Sequence, residues 1–437
     1  MPSQLSSTKN DLNTNANALA LDTSLDTGSQ IDVFSSNDPV NRIRRVSSSS
    51  KGVQADAPSN EPAISANGRF VAFESDATNL VRGDTNGVSD IFVRNVRNGN
   101  VIRVSVGASG TQANGASFNA SISGDGRFVV FQSDASNLVP NDTNGKTDVF
   151  LHDTRNGSTT RISVDSRGNQ AGEISFAGRI SRDGRFVTFS SQDRDLDGNA
   201  PSFFGTNVFL RDIQAGTTTR IVSPSEAGFN DPSFSDSTRS TAAAISGDGR
   251  YVVYQTVISI GRTAATLFVY DKQTQTSQRI DSIERSSFRS PSISDDGRYI
   301  AYHKVVPFLP AISTKIYDQQ TKSFRDILQD PTRRNGIPIS GLSLSGNGRY
   351  LAFSSSRNNI VPNDTNSAED VFVYDIENNT TQRVSVNARG EQANGVSFSP
   401  SISADGRFLA FASDASNLVP RDTNGVTDVF RVKTYSN

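Results

Sequence analysis

Short apolar runs, each about six residues long, alternate with polar turns along almost the whole chain. The stretch 117–164 shows the unit. SFNASIS (117–123) alternates small polar and apolar positions and reads as a first strand, a. Asp125-Gly126 follows, a two-residue hairpin turn in which glycine supplies positive φ. RFVVFQS (127–133) is aromatic and β-branched and reads as strand b. The loop DASNLVPNDTNGKT leads to strand c, DVFLHD (148–153), and a tight turn at TRNG leads to strand d, STTRISV (158–164).

The phrase at the a–b turn recurs seven times: ISANGRF (64–70), ISGDGRF (122–128), ISRDGRF (180–186), ISGDGRY (245–251), ISDDGRY (293–299), LSGNGRY (344–350) and ISADGRF (402–408). The spacings are 58, 58, 65, 48, 51 and 58 residues. So strict a phrase at so long a period predicts a repeat architecture, and four short strands per unit predict an all-β, seven-bladed β-propeller of four-stranded antiparallel blades.

The ends predict how the ring closes. Residues 32–47 align without gaps on 148–163, so the chain begins with the end of a repeat, and it stops after a strand c, DVFRVKT (428–434). IRRVS (43–47) is therefore expected as the outer strand of the last blade, which hides an open sheet edge. The domain reading is a disordered polar tail over 1–20 and one propeller domain over 21–437, with the half-repeat 21–48 completing the last blade. A straight solenoid is the alternative, but it needs polar caps at both ends, whereas here the ends complement each other.

The phrase P-S-I-S-x-D-G-R-Y-I-A-Y, clearest at 291–302, and the later I/V-F-V-x-D…T-x-R-V/I-S segment resemble the inner and outer hairpins of TolB-like propeller repeats. The resemblance covers roughly residues 31–437. The family's type member has six such blades and a separate N-terminal α/β domain, which this chain lacks. The resemblance implies a soluble bacterial binding platform in the periplasm or outside the cell. Some family propellers serve prolyl oligopeptidase-type hydrolases, but no G-x-S-x-G elbow is present here.

Composition narrows the chemistry. Only 34% of residues are hydrophobic and 33 are glycine, thin for a helical globule and suited to short strands with polar turns. The net charge of −2 comes without a basic cluster, so no nucleic-acid partner is expected. No apolar run approaches the roughly 20 residues that span a bilayer, so no membrane insertion is expected. The start, MPSQLSSTKN, does not read as a signal peptide. There is no cysteine, which excludes thiolate nucleophiles and thiolate metal sites. The two histidines, His152 and His303, stand where other repeats carry Arg94, Arg211, Tyr270 and Tyr374, or Glu74, Gln132 and Gln255, so strand-filling or surface roles are expected. The repeated arginines (Arg69, Arg127, Arg185, Arg250, Arg298, Arg349, Arg407) are expected to pair with a carboxylate or carbonyl of a neighbouring blade. Asp153, Asp212, Asp271, Asp318 and Asp375 are expected to cap the c–d turns.

Two sets of residues stand out as candidate sites. The b–c loops read D-T-N-G-x-x-D, with Asp84/Asn86/Asp90, Asp142/Asn144/Asp148 and Asp422/Asn424/Asp428, and a variant with Asp364/Asn366/Asp370; Asp26 and Asp32 keep the spacing at the start. Oxygen ligands on a tight loop suit Ca²⁺, although Gly at the fourth position and the lack of a bidentate Glu depart from the EF-hand pattern. Asx turns that lead into strand c are the simpler reading. The large length changes fall in the b–c and d–a connections of repeats three to five, all on one face. That arc is the candidate partner site, with Phe203, Phe204, Phe229, Phe234, Phe308 and Leu309 as apolar anchors and Arg239 and Arg262 as polar contacts. Drift, with those aromatics packed into their own loops, is the competing reading.

The functional expectation is a monomeric, non-enzymatic binding or scaffold propeller for a protein, peptide or glycan, with no cofactor unless the loops bind Ca²⁺. Two alternatives stay open: a glycosidase or lyase working through carboxylates at the channel mouth, and a Ca²⁺-stabilised surface protein.

Overall fold

The computed structural model describes residues 43–198, 205–221, 238–260, 262–306, 311–328 and 339–434, all within one compact unit, Ser35–Asn437. Blade 1 runs through Ser59–Ile64, Phe70–Ser75, Asp90–Asn95 and Val101–Arg103. Blade 2 runs through Ser117–Ile122, Phe128–Ser133, Asp148–Asp153 and Ser158–Arg161. Blade 3 comprises Ser175–Ile180, Phe186–Ser191, Gly205–Asp212 and Thr217–Arg220. Blade 4 comprises Thr238–Ile245, Tyr251–Ile260, Arg262–Asp271 and Thr276–Glu284. Blade 5 has Ser287–Ile293, Tyr299–Val306, Ala311–Asp318 and Ser323–Leu328, and blade 6 has Ile339–Leu344, Tyr350–Ser355, Asp370–Asp375 and Thr380–Arg383. Blade 7 takes Ser397–Ile402, Phe408–Ser413 and Asp428–Lys433 from the end of the chain and Arg44–Arg45 from its beginning. The seven-bladed propeller read from the repeats is the observed fold.

Strands b and c are buried almost throughout because both their faces lie between neighbouring blades. Each consensus blade pairs an aromatic on b with one on c, as in Phe131–Phe150 (ring centroids 5.9 Å apart) and Phe353–Phe372 (5.4 Å). The apolar clusters lie between blades, so a blade without its neighbour would leave a hydrophobic face bare.

The recurrent G-R-F/Y is explained by contact across that gap. The aromatic of one blade packs on the turn glycine of the next, and Phe408 of blade 7 packs on Gly68 of blade 1. A Cβ on Gly68, which has φ +69°, would overlap the Phe408 ring. This position needs glycine for its backbone and for its neighbour.

Closure is visible at two radii. At the rim, Arg44 and Arg45 pair antiparallel with Arg431 and Phe430. On the axis, the variable residue of the repeated phrase forms a circle of main-chain hydrogen bonds. Ala66 N–H donates to Gly124 O (3.0 Å), Gly124 N–H to Arg182 O (2.8 Å) and Asp183 N–H to Gly247 O (3.1 Å). Gly247 N–H donates to Asp295 O (3.1 Å), Asp295 N–H to Gly346 O (2.8 Å) and Asn347 N–H to Ala404 O (2.9 Å). Ala404 N–H returns to Ala66 O at 2.9 Å, joining the seventh blade to the first. An open stack has no counterpart to that last bond.

Blade 4 departs from the repeat. Its strands b and c are ten residues each against six in blade 2, and they pair to Ile260↔Arg262. At about 3.3 Å per residue, the four extra residues carry this hairpin roughly 13 Å further than its counterpart in blade 2. Strand a of blade 4 begins at Thr238 and pairs in parallel with Gly205–Thr206 of blade 3. In the variable arc, the blade 4 hairpin that carries Arg262 is built from strand.

Candidate functional site

The D-T-N-G loops form four copies of one ion-pair centre. In blade 2, Arg161 from strand d reaches Asp142 (3.1 Å) and Asp148 (3.4 Å), and the hydroxyl of Ser163 donates to Asp148 at 2.6 Å. Asn144 donates to Asp148 (3.2 Å) and to the Ala171 carbonyl (2.9 Å). Arg103 joins Asp84 (2.8 Å) to Asp90 (3.2 Å), and Arg383 joins Asp364 (3.1 Å) to Asp370 (3.2 Å). Asn86, Asn366 and Asn424 repeat the role of Asn144. In blade 7 the guanidinium comes from the other end of the chain: Arg45 meets Asp422 at 2.8 Å and Asp428 at 3.1 Å, and Ser47 donates to Asp428 at 2.5 Å. Burial raises the carboxyls of Asp84, Asp148, Asp364 and Asp428, and the guanidinium beside each opposes that rise. A positive charge thus already stands between the two carboxylates of every centre. Among the described residues, no group of three or more His, Asp or Glu side chains suited to a metal is gathered.

The repeated arginines pair within their own blade, which corrects the expected inter-blade pairing. Arg127 meets Asp153 at 2.7 Å, Arg185 meets Asp212 at 2.7 Å, Arg250 meets Asp271 at 2.8 Å and Arg298 meets Asp318 at 2.9 Å. The reason is register: the residue before strand b lies beside the end of strand c, two residues from the turn. The same aspartates accept turn amides, as Asp153 does from Arg155 N–H (3.0 Å), so their capping role holds. Blade 7 has Lys433 at that place, and Arg407 turns instead to Asp405 in its own hairpin, at 2.6 Å.

Both histidines are buried. The ring Nδ1 of His152 lies 2.9 Å from Thr159 Oγ1, and that of His303 lies 3.1 Å from Thr314 Oγ1. Burial lowers His152 to about 4 and His303 to about 3, with Arg289 adding to the second. Both are neutral wall residues at neutral pH. The unfolded chain, with imidazoles near pKa 6.5, binds more protons than the folded one below that pH. Stability is therefore expected to fall as pH drops from 6.5 towards 4, by up to about 1.4 kcal/mol per unit for each ring. His303→Gln and His152→Tyr borrow side chains that Gln132 and Tyr374 supply at the same repeat positions. The double variant should flatten the slope of melting temperature against pH between 6.5 and 5; an unchanged slope would remove the histidines as its cause.

The axial channel is lined by the seven a strands and has a volume of ≈ 360 Å³. Three levels descend from the face of the b–c and d–a connections. The first contains Glu61, Asn119, Ala177, Ser290, Gly341 and Ser399, all at positive φ where a bulge turns the strand. Glu61 is exposed to the channel and accepts from Ser399 Oγ at 2.9 Å. Glu74, behind it on strand b, has its carboxyl raised by burial and by the charges of Glu61 and Asp76.

At the second level stand Ala63, Ser121, Arg179, Ala244, Ser292, Ser343 and Ser401. Each serine oxygen accepts a neighbouring blade's N–H: Ser121 from Ile180 (3.2 Å), Ser292 from Leu344 (2.9 Å), Ser343 from Ile402 (3.1 Å) and Ser401 from Ile64 (3.1 Å). Arg179 replaces serine in blade 3; its Nη1 donates to Gly178 O at 2.9 Å. Burial pushes this guanidinium below its ordinary value, and Glu61 opposes that shift.

The third level is the hydrogen-bonded circle at the narrow end. Five of its positions are Gly or Ala; the other two, Arg182 and Asp295, form an ion pair at 2.6 Å. A side chain on Gly247 or Gly346 would collide with the Asp295 carboxylate, so the small residues make room for the pair that constricts this end. In the repeated phrase these axial residues occupy the unconserved position, and only the complementary charges of Arg182 and Asp295 hinted at them.

The candidate anchors Phe203, Phe204, Phe229, Phe234, Phe308 and Leu309 lie outside the described residues. Arg239 and Arg262 fall on strands of blade 4, and their side chains are outside the described set.

Comparison with known proteins agrees with this architecture. No protein-family model matches the chain, and no curated protein matches it. Solved propellers do. An oligogalacturonate lyase from Vibrio parahaemolyticus shares 12% identity over 90% of this chain and 97% of that one, with a TM-score of 0.55. The β-propeller domain of the Trilobed protease from Pyrococcus furiosus shares 13% identity over 86% and 93%, with a TM-score of 0.52. TolB from Acinetobacter baumannii is also found, at 12% identity over 75% and 63%, with a TM-score of 0.42. At these identities the likeness is one of fold.

Proposed function

We propose that this propeller is a non-catalytic binding platform that holds a protein, peptide or glycan on the face of the b–c and d–a connections. The observation that carries the reading is the asymmetry of that face. Blade 4 raises a ten-residue hairpin over it, whereas the b strands of blades 1, 2, 6 and 7 end after six residues. A raised hairpin on the face where the channel opens makes that face concave, the shape that ligand sites favour. Replacing Val257–Ala265 with an Asn-Gly turn, which joins the partners Thr256 and Thr266, should leave the melting temperature within a few degrees. The same change should abolish the binding selected from a peptide-display library or a glycan array by the full chain; retained binding would discard the hairpin as the recognition element. The phrase at 291–302 supports a TolB-like descent for these repeats.

A second reading has its own support. Glu61 lines the channel, and Glu74, whose carboxyl is raised by burial, accepts from the N–H of the channel residue Asn119 at 3.4 Å, so two acidic side chains stand near the channel mouth. That pairing fits a lyase or glycosidase. Incubation with oligogalacturonate, read as unsaturated product, tests it: turnover lost in Glu74→Gln would favour it over the binding platform.

A further inference from the structure

Five of the seven side chains at the second level of the channel, four serines and Arg179, are hydrogen-bond donors. Each of Ser121, Ser292, Ser343 and Ser401 uses an oxygen lone pair to accept a main-chain N–H, so its own O–H proton is left to donate. No acceptor for these protons is found among the described residues. Arg179, at the same level, uses one nitrogen on Gly178 O and presents the rest of a planar donor fork to the channel. Below it the charges of Arg182 and Asp295 cancel. Arg179 is thus the cation at this depth without an ion-pair partner among the described residues. Its fork matches two coplanar oxygens. Glu61, one level nearer the mouth, is the facing acid and disfavours a dianion.

We propose that the channel binds a small monocarboxylate, inserted carboxylate first against Arg179 and the serine hydroxyls. A volume of ≈ 360 Å³ suits a small molecule rather than a folded partner. The site stands on the channel wall alone and does not depend on what the open face captures.

Ligand-observed NMR on the full chain tests this with butyrate and pyruvate, with butyramide, sulfate and phosphate as comparisons. Saturable binding of the two carboxylates and none of the amide is expected. Arg179→Ser installs the residue that four other blades carry at this position, and should weaken carboxylate binding tenfold or more, as expected for loss of a charge-assisted pair. Ser292→Ala with Ser343→Ala, matching Ala63 and Ala244, should weaken it severalfold and serves if the first variant melts early. Shortening the blade 4 hairpin should leave carboxylate binding unchanged, which separates this site from the face. The proposal is overturned if neither carboxylate binds, if Arg179→Ser binds as well as the parent, or if sulfate or phosphate binds more tightly.

Discussion

A chain that starts at residue 50 is expected to lose most of its stability, whereas one that starts at residue 38 should melt close to the full protein. The reason lies in what residues 43–47 supply to blade 7. Val46 is fully buried in the core between blades 7 and 1, a contribution of about 1.5–3 kcal/mol. Arg45 neutralises Asp422 and Asp428, whose side chains are 5% and 1% exposed. Removing one partner of such a buried pair costs roughly 3–5 kcal/mol. Together these approach the whole stability of an ordinary domain, about 5–15 kcal/mol. The shortened chain would also expose the edge of Asp428–Lys433, an invitation to strand pairing between molecules. Thermal melting and gel filtration would show an early transition and association. A synthetic peptide of residues 38–50 should restore the melt when added in excess. A chain from residue 50 that melts like the full protein would end the closure argument.

Arg161→Ala should lower stability by about 3–5 kcal/mol, seen in urea unfolding as a lower midpoint with an unchanged slope. The substitution leaves Asp142 and Asp148 together in a place where their side chains are 3% and 0% exposed. It also makes the centre a test of Ca²⁺. In the parent protein the guanidinium occupies the cation's place, so millimolar Ca²⁺ should not move the melting temperature. In Arg161→Ala two carboxylates and the Asn144 carboxamide are left without a cation, and Ca²⁺ should recover part of the loss. A rise in the parent's melting temperature with Ca²⁺ would show that the ion displaces arginine and that the loops are metal sites after all.

The four centres show how far sequence reasoning reached. Spacing alone brought Asp142, Asn144 and Asp148 together, and the ungapped match of 32–47 to 148–163 placed Arg45 and Ser47 where Arg161 and Ser163 stand. It did not reveal that arginine from strand d closes the centre, because that residue lies 13 positions beyond Asp148 and joins it only through the c–d pairing. The axial residues were illegible for a related reason. Ser121, Arg179 and Ser292 look like ordinary strand positions, and nothing local says that they share one level around an axis.

The local code of this chain sufficed for blades, their number and their order of strands. Two-residue turns and six-residue apolar runs are short-range signals, and a ring closed by complementary ends follows from counting them. Tertiary structure decided which side chains meet. Arg182 and Asp295 are 113 positions apart, yet the circle of hydrogen bonds sets them 2.6 Å from each other. Radial packing converts equivalent positions in distant repeats into neighbours, and a channel exists only once all seven are in place.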